Sequence, residues 1–117
     1  MGKMNGKGKF SYPNGNVYEG DFVDNFKDGY GVLHYKDNEK YEGQFKENLA
    51  HGSGSLTYAD GDKYVGNWVN GKKCGKGELL YVNGDKFSGM WSDDKACGVG
   101  VLEYSSGDIY EVWSYAL

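Results

Sequence analysis

Two histidines, two cysteines, seventeen carboxylates and thirteen amines are the side chains able to ligate a metal, move a proton or attack a carbon. Their spacing does not support such work. His34 and His51 stand without Cys-x-x-Cys or His-x-x-x-His company, so no zinc-type site is expected. Asp60-Gly61-Asp62 has the look of a calcium loop, but the further spaced acids and the closing Glu are missing. Gly6-Lys7-Gly8 and Gly75-Lys76-Gly77 look like phosphate loops, yet neither opens a helix or continues to Lys-Ser/Thr at the Walker spacing. No Ser or Cys falls in a motif with a base and an orienting acid. Nor do the carboxylates show a glycosidase-like pair. No enzyme is expected, and no catalytic residue, metal or cofactor.

Charge narrows the partners. Net charge is -4, with a pI near 5.1, so nothing draws the chain as a whole to nucleic acid or an anionic membrane. Every cation is a Lys. Without the guanidinium fork, base-edge reading lacks its usual instrument, and no nucleic-acid partner is expected. Lys72, Lys73, Lys76, Lys86 and Lys95 are the cluster through which a phosphoinositide or membrane surface would be held, in a salt-sensitive way. There is no run of eighteen apolar residues and no charged-then-apolar leader. The expected location is the cytoplasm, with attachment to cytoskeleton or membrane through partners.

The elements that place these groups repeat. In YVGNWVNGKKCGKGELLYVNGDK, residues 64–86, Tyr64, Gly66 and Trp68 alternate with polar or small residues, a turn follows, and Gly75, Gly77, Leu79 and Tyr81 alternate again before Asn83-Gly84. A shift of twenty-three residues superposes Tyr18, Tyr41, Tyr64, Phe87 and Tyr110; then Gly20, Gly43, Gly66 and Gly89; then Phe22, Phe45, Trp68 and Trp91. The second half-unit repeats as Gly29, Gly52, Gly75 and Gly98, followed by Gly31, Gly54, Gly77 and Gly100. Leu33, Leu56, Leu79 and Leu102 come next, and then Tyr35, Tyr58, Tyr81 and Tyr104. Period-two alternation reads as strand; glycine this dense argues against helix. Asn14-Gly15, Asp60-Gly61, Asn83-Gly84 and Ser106-Gly107 supply residues at ease with positive φ, as tight hairpins require.

The expected fold is all-β: an elongated, twisted, single-layer antiparallel meander of about ten short strands, one hairpin per repeat. After a lead of residues 1–5, one repeat domain spans 6–113: a half repeat at 6–17, full repeats at 18–40, 41–63, 64–86 and 87–109, and an incomplete one at 110–113. Residues 114–117 form a tail.

Alternation puts the rings on one face and mostly polar residues on the other. Gly weakens a strand, so three per unit on the inward side imply that rings from neighbouring strands lie across bare backbone and act as the core. Cys74 and Cys97 share a column, two strands or about 9.6 Å apart, too far for a bridge. They are expected as free thiols of a reducing compartment.

The unit resembles the MORN repeat, roughly YxGxW, a turn, then GxGxLxY and a polar-Gly turn. Here the pattern is carried by YEGDF, YEGQF, YVGNW and FSGMW with GYGVLHY, GSGSLTY, GKGELLY and GVGVLEY, after an opening GKGKFSY. The resemblance implies a binding or scaffold role: an elongated, curved sheet whose aromatic trough takes a helix or extended segment of another protein, or of a larger chain. The expected groove residues are Tyr18, Phe22, Tyr35, Tyr41, Phe45 and Tyr58, continuing through Tyr64, Trp68, Tyr81, Phe87, Trp91 and Tyr104. The competing expectation is that twist and curl close the rings on one another. A second surface is expected at the C-terminal end, where Val112 and Ser114 break the pattern, Trp113 changes face, and Leu80, Met90, Val99 and Val101 make the polar face apolar. Self-pairing into a homodimer, or a folded-over cap, would use it.

Overall fold

The computed structural model describes residues 2–116, and side chains for residues 2–112. Ten strands follow the chain: β1 Gly6–Ser11, β2 Val17–Val23, β3 Phe26–His34, β4 Lys40–Lys46, β5 Leu49–Thr57, β6 Lys63–Val69, β7 Lys72–Leu80, β8 Lys86–Ser92, β9 Lys95–Glu103 and β10 Ile109–Ala116. They form one antiparallel sheet in sequence order, the all-β meander that the period predicts. It is long and narrow, 57 × 23 × 19 Å.

The two edges of the ribbon turn differently. Between β2 and β3 the chain reverses in two residues, Asp24 and Asn25, at φ 48° and 73°. Glu47-Asn48, Asn70-Gly71 and Asp93-Asp94 likewise have positive φ at both positions. That is the two-residue turn whose twist matches the strands. At the other edge Gly15 N–H donates to the Tyr12 carbonyl, and Tyr12 N–H donates to the Asn16 carbonyl. Here only the glycine is left-handed, with φ 99°. The Asn-Gly and Asp-Gly pairs thus close wider three-residue loops, and the tightest turns lie at the edge where sequence shows fewer glycines. Asn16 and Asp62 also accept the N–H of Lys36 and Val82, tying each hairpin to the next.

Register explains the glycines. Gly20 pairs with Gly31, Gly43 with Gly54, Gly66 with Gly77 and Gly89 with Gly100. Across each glycine pair lies one ring: a Cβ added to Gly31, Gly54, Gly77 or Gly100 would run into Tyr18, Tyr41, Tyr64 or Phe87. The third glycine of the unit corrects the inward-facing expectation. Phe22 pairs with Lys27 while Gly20 pairs with Gly31, so Asp28, Gly29 and Tyr30 stand against Asp21 alone, a bulge. Gly29 has φ 106°, and its missing side chain would meet the Asp21 carboxylate, 2.8 Å away. It is a left-handed bulge residue facing the polar side.

The rings pack edge to face along the ribbon. Tyr18 meets Phe22 and Phe45, Tyr41 meets Phe45 and Trp68, and Tyr64 meets Trp68 and Trp91, with centroids 4.9–5.3 Å apart and planes 79–90° from parallel. Phe45, Trp68 and Trp91 are each shared between their own unit and the preceding one. Tyr18, Tyr41 and Tyr64 donate their hydroxyls to the carbonyls of Asp21, Gln44 and Asn67, which closes the polar end of each buried ring.

Burial raises the pKa of all three phenols, Tyr18 and Tyr64 to about 12. A phenol whose folded pKa exceeds its unfolded value stabilises the fold fully below the unfolded pKa, near 10, and loses that contribution as pH climbs through the folded one. Alkaline unfolding is therefore expected between about pH 10 and 12, with the buried phenolates appearing together as the sheet opens. Phenolate absorbance and circular dichroism followed together test this; ionisation of these rings in an intact sheet contradicts it.

Candidate functional site

With the eight central rings spent on each other, the free surface of the ring side is its rims. Tyr12, Tyr35, Tyr58, Tyr81 and Tyr104 open the five wide turns, so they stand in a row along one edge. Phe10, Leu33, Leu56, Leu79 and Leu102 pack beside them, half-buried against the core. The opposite rim holds the two-residue turns and the column Met4, Lys27, Ala50, Lys73 and Ala96. Lys27 and Lys73 reach the ring side because they pair with Phe22 and Trp68.

Two lysines strap the rims together. Lys73 Nζ donates to the Tyr58 hydroxyl at 2.6 Å and lies 5.2–5.5 Å from the ring centres of Tyr58, Tyr64 and Trp91. Lys27 Nζ does the same to Tyr12 at 2.8 Å, over the Tyr12 and Tyr18 rings. Cations held over ring faces gain from the ring quadrupole. The turn fixes each lysine's backbone: Asn48 Oδ1 accepts the Lys27 N–H and Asp94 Oδ1 that of Lys73, at 2.9 and 2.8 Å.

Between the straps the column offers Ala50, and the gutter opens there into a hollow of about 460 Å³. Leu33, Tyr35, Tyr41, Phe45, Leu56 and Tyr58 form its apolar walls, with Leu49 at the rim and Trp68 below. A smaller hollow, about 260 Å³, is lined by Met4, Phe10, Tyr12, Phe22, Asn25, Lys27 and Asn48. Adding forty-six to each number gives Ala50, Leu56, Tyr58, Trp68, Gly71, Lys73 and Asp94, all of which line the larger hollow. The ring side therefore repeats every two units, twice the period of the strands.

The expected groove residues divide accordingly. Tyr18, Phe22, Tyr41, Phe45, Tyr64, Trp68, Phe87 and Trp91 are all 8% exposed or less and pack on one another, so they form a floor beneath the rims, where Tyr41, Phe45 and Trp68 line the larger hollow and Phe22 the smaller. Tyr35 and Tyr58 are half-buried at the rim, and Tyr81 and Tyr104 are exposed there. Lys27, Ala50 and Leu49 were not singled out by sequence. Lys27 and Ala50 share a column that mixes Met, Lys and Ala, and only comparison at twice the period reveals it; Leu49 shares its column with Lys3, Phe26, Lys72 and Lys95, which gives no apolar signal.

The other face also has a hollow, about 580 Å³ over the backbone of Gly77, Gly89 and Gly100, walled by Val65, Met90 and Val99 with Lys76, Glu78 and Ser88. Met90, Val99 and Val101 are exposed and Leu80 is half-buried. The Trp113 side chain and Leu117 lie outside the described residues. Of the five clustered lysines, Lys73 points to the ring side and Lys86 pairs with Glu78 at 3.8 Å. Among the described residues no three His, Cys, Asp or Glu side chains gather as a metal requires. Cys74 and Cys97 are unbridged.

A family model for the MORN repeat matches five consecutive segments, residues 1–17, 18–40, 41–63, 64–86 and 87–109. The chain belongs to the MORN-repeat family. No curated protein matches the sequence. Among solved structures, the MORN ribbon is similar to the TCP domain of SAS-4 (dCPAP) from Drosophila melanogaster, solved in complex with a proline-rich motif of Ana2 (dSTIL), with a TM-score of 0.64 and 13% identity. The likeness covers 92% of the MORN chain and 59% of that one, so the chain spans under two thirds of its neighbour. At that identity the likeness concerns the fold.

Proposed function

We propose that this MORN-repeat chain is a non-catalytic protein-binding module that takes a segment of another protein along the ring side of its sheet. The hollow between the Tyr–Lys straps carries the reading. Its walls are mostly apolar and rest on the packed rings beneath, with Asn48, Lys73 and Asp94 as the polar part of the lining and the Tyr58 hydroxyl fixed by Lys73. Preformed apolar concavities with a few fixed polar groups suit such capture. A neighbour of the same fold, solved with a motif of another protein, is in keeping with it.

The test compares two exposed positions, Leu49 lining this hollow and Val99 lining the other one. Leu49→Asp is expected to weaken capture of a protein partner about tenfold or more, as a charge set in an apolar contact does, whereas Val99→Asp leaves it unchanged. Loss with Val99→Asp and none with Leu49→Asp overturns the reading.

A further inference from the structure

The rim tyrosines recur every second strand, about 9.6 Å apart for strands spaced about 4.8 Å. A polyproline II chain rises about 3.1 Å per residue with three residues per turn, so one of its side-chain rows recurs about every 9.3 Å. A β-strand presents same-face side chains about every 6.8 Å. A helix returns to the same face after seven residues, about 10.5 Å, and drifts off such a rim by nearly 1 Å per step. Of the three, the polyproline chain keeps step with the tyrosines.

Charge sets the register. Lys27 and Lys73 flank the Ala50 hollow, each two strands away, so the strands that carry them are about 19 Å apart. Six polyproline II residues cover that span. Each amine is held by a tyrosine hydroxyl, and among the described residues neither enters an ion pair. Two cations without a carboxylate partner, on one side of a chain of net charge -4, are complementary to an acidic ligand. Tyr12 and Tyr58 accept from the lysines, which leaves their own O–H protons to donate. Polyproline II carbonyls have no internal partner and need such donors.

Resting on the ring-side reading, we propose that the occupant is a proline-rich, acidic segment in the polyproline II conformation, crossing the strands from β3 to β7 with the pattern acid-x-x-Pro-x-x-acid. The proline enters the hollow at Ala50, beside Tyr35, and the acids meet Lys27 and Lys73. Asp94, at the Lys73 end, makes that acid the weaker of the two; Asn48 holds the matching place beside Lys27.

A labelled thirteen-residue peptide with Glu-x-x-Pro-x-x-Glu at its centre tests this against the full chain, by anisotropy and amide shift mapping. Two comparison peptides carry the same charges: one with an extra residue between proline and the second Glu, the other an amphipathic helix. The expected result is binding that shifts Leu33, Ala50 and Leu56. Insertion of one residue, or Lys27→Gln, should weaken it about tenfold, the equivalent of one charged contact. Failure of the proline peptide to bind, or indifference to the insertion, overturns the proposal. If the helical peptide alone binds and shifts these same residues, the polyproline conformation is wrong and the ring-side reading stands. If binding shifts only Val65, Met90 and Val99, both fall.

Discussion

Tyr64→Ala is expected to remove about 4 kcal/mol of folding stability, the middle of the range for loss of a buried aromatic. Tyr64 is fully buried in the middle of the ribbon. Its ring meets Trp68 of its own unit at 5.3 Å and Trp91 of the next at 5.2 Å, both nearly perpendicular. It also covers the bare backbone of Gly77. Stability in a repeat protein is close to a sum of unit and neighbour terms, and this one ring enters both. Truncation opens a void that the backbone cannot close, because Gly66 and Gly77 are pinned by the strand ladder on either side. It also leaves the Asn67 carbonyl without the hydroxyl that now bonds it at 3.1 Å. Tyr64→Phe separates the two effects. Phe87 occupies the same column, so the sheet accepts a ring without a hydroxyl, and the Phe variant should cost only about 1 kcal/mol, the net worth of one hydrogen bond. Urea unfolding of the three proteins measures both steps. A Tyr64→Ala cost no larger than that of Tyr64→Phe would mean that the ring chain is not what holds the sheet.

The strands, their order and their faces are legible in the sequence because a period of two within a period of twenty-three leaves little choice. What covers a face is not. Trp68 and Trp91 read as contacts for a partner, since a single-layer sheet has no second layer to bury them. Their burial follows from curl, which brings each against a Tyr of the preceding unit, and curl depends on bulges that alternation hides. Gly29, Gly52 and Gly75 share a column with no visible difference from the glycines under the rings, yet take positive φ and face the polar side. A signal was present: nine-residue strands such as β3 alternate with seven-residue strands such as β2, and unequal partners need extra residues somewhere. The straps were hidden for another reason. A twenty-three-residue comparison averages Lys27, Ala50, Lys73 and Ala96 into a column without character, whereas at forty-six residues it splits into lysines that close the gutter and alanines, one of which opens it.

Gly66→Ala is the second large effect, a loss of about 3 kcal/mol, the high end for forcing one methyl into a packed site. The added Cβ would lie 2.6 Å from the Gly77 Cα, 2.6 Å from the Tyr64 Oη and 2.7 Å from the Lys76 carbonyl oxygen. Two of those three atoms are backbone of the paired strand, so no rotamer relieves them. Gly75→Ala provides the contrast. Its Cβ would find Asn67 at an ordinary 3.7 Å, and the penalty comes only from φ 87°, about 1–2 kcal/mol for a left-handed residue. The column of rings gives a sharper comparison still. At Gly77 the three nearest atoms to an added Cβ all belong to Tyr64, so Gly77→Ala and Tyr64→Ala should be strongly non-additive, the double variant being little worse than Tyr64→Ala alone. Gly66→Ala should lose only part of its cost in the same background, since the Gly77 and Lys76 backbone remains. Denaturation of both double variants thus tells the glycine that seats a ring from the glycine that lets two strands meet. Equal coupling at the two positions would mean that both glycines do the same work.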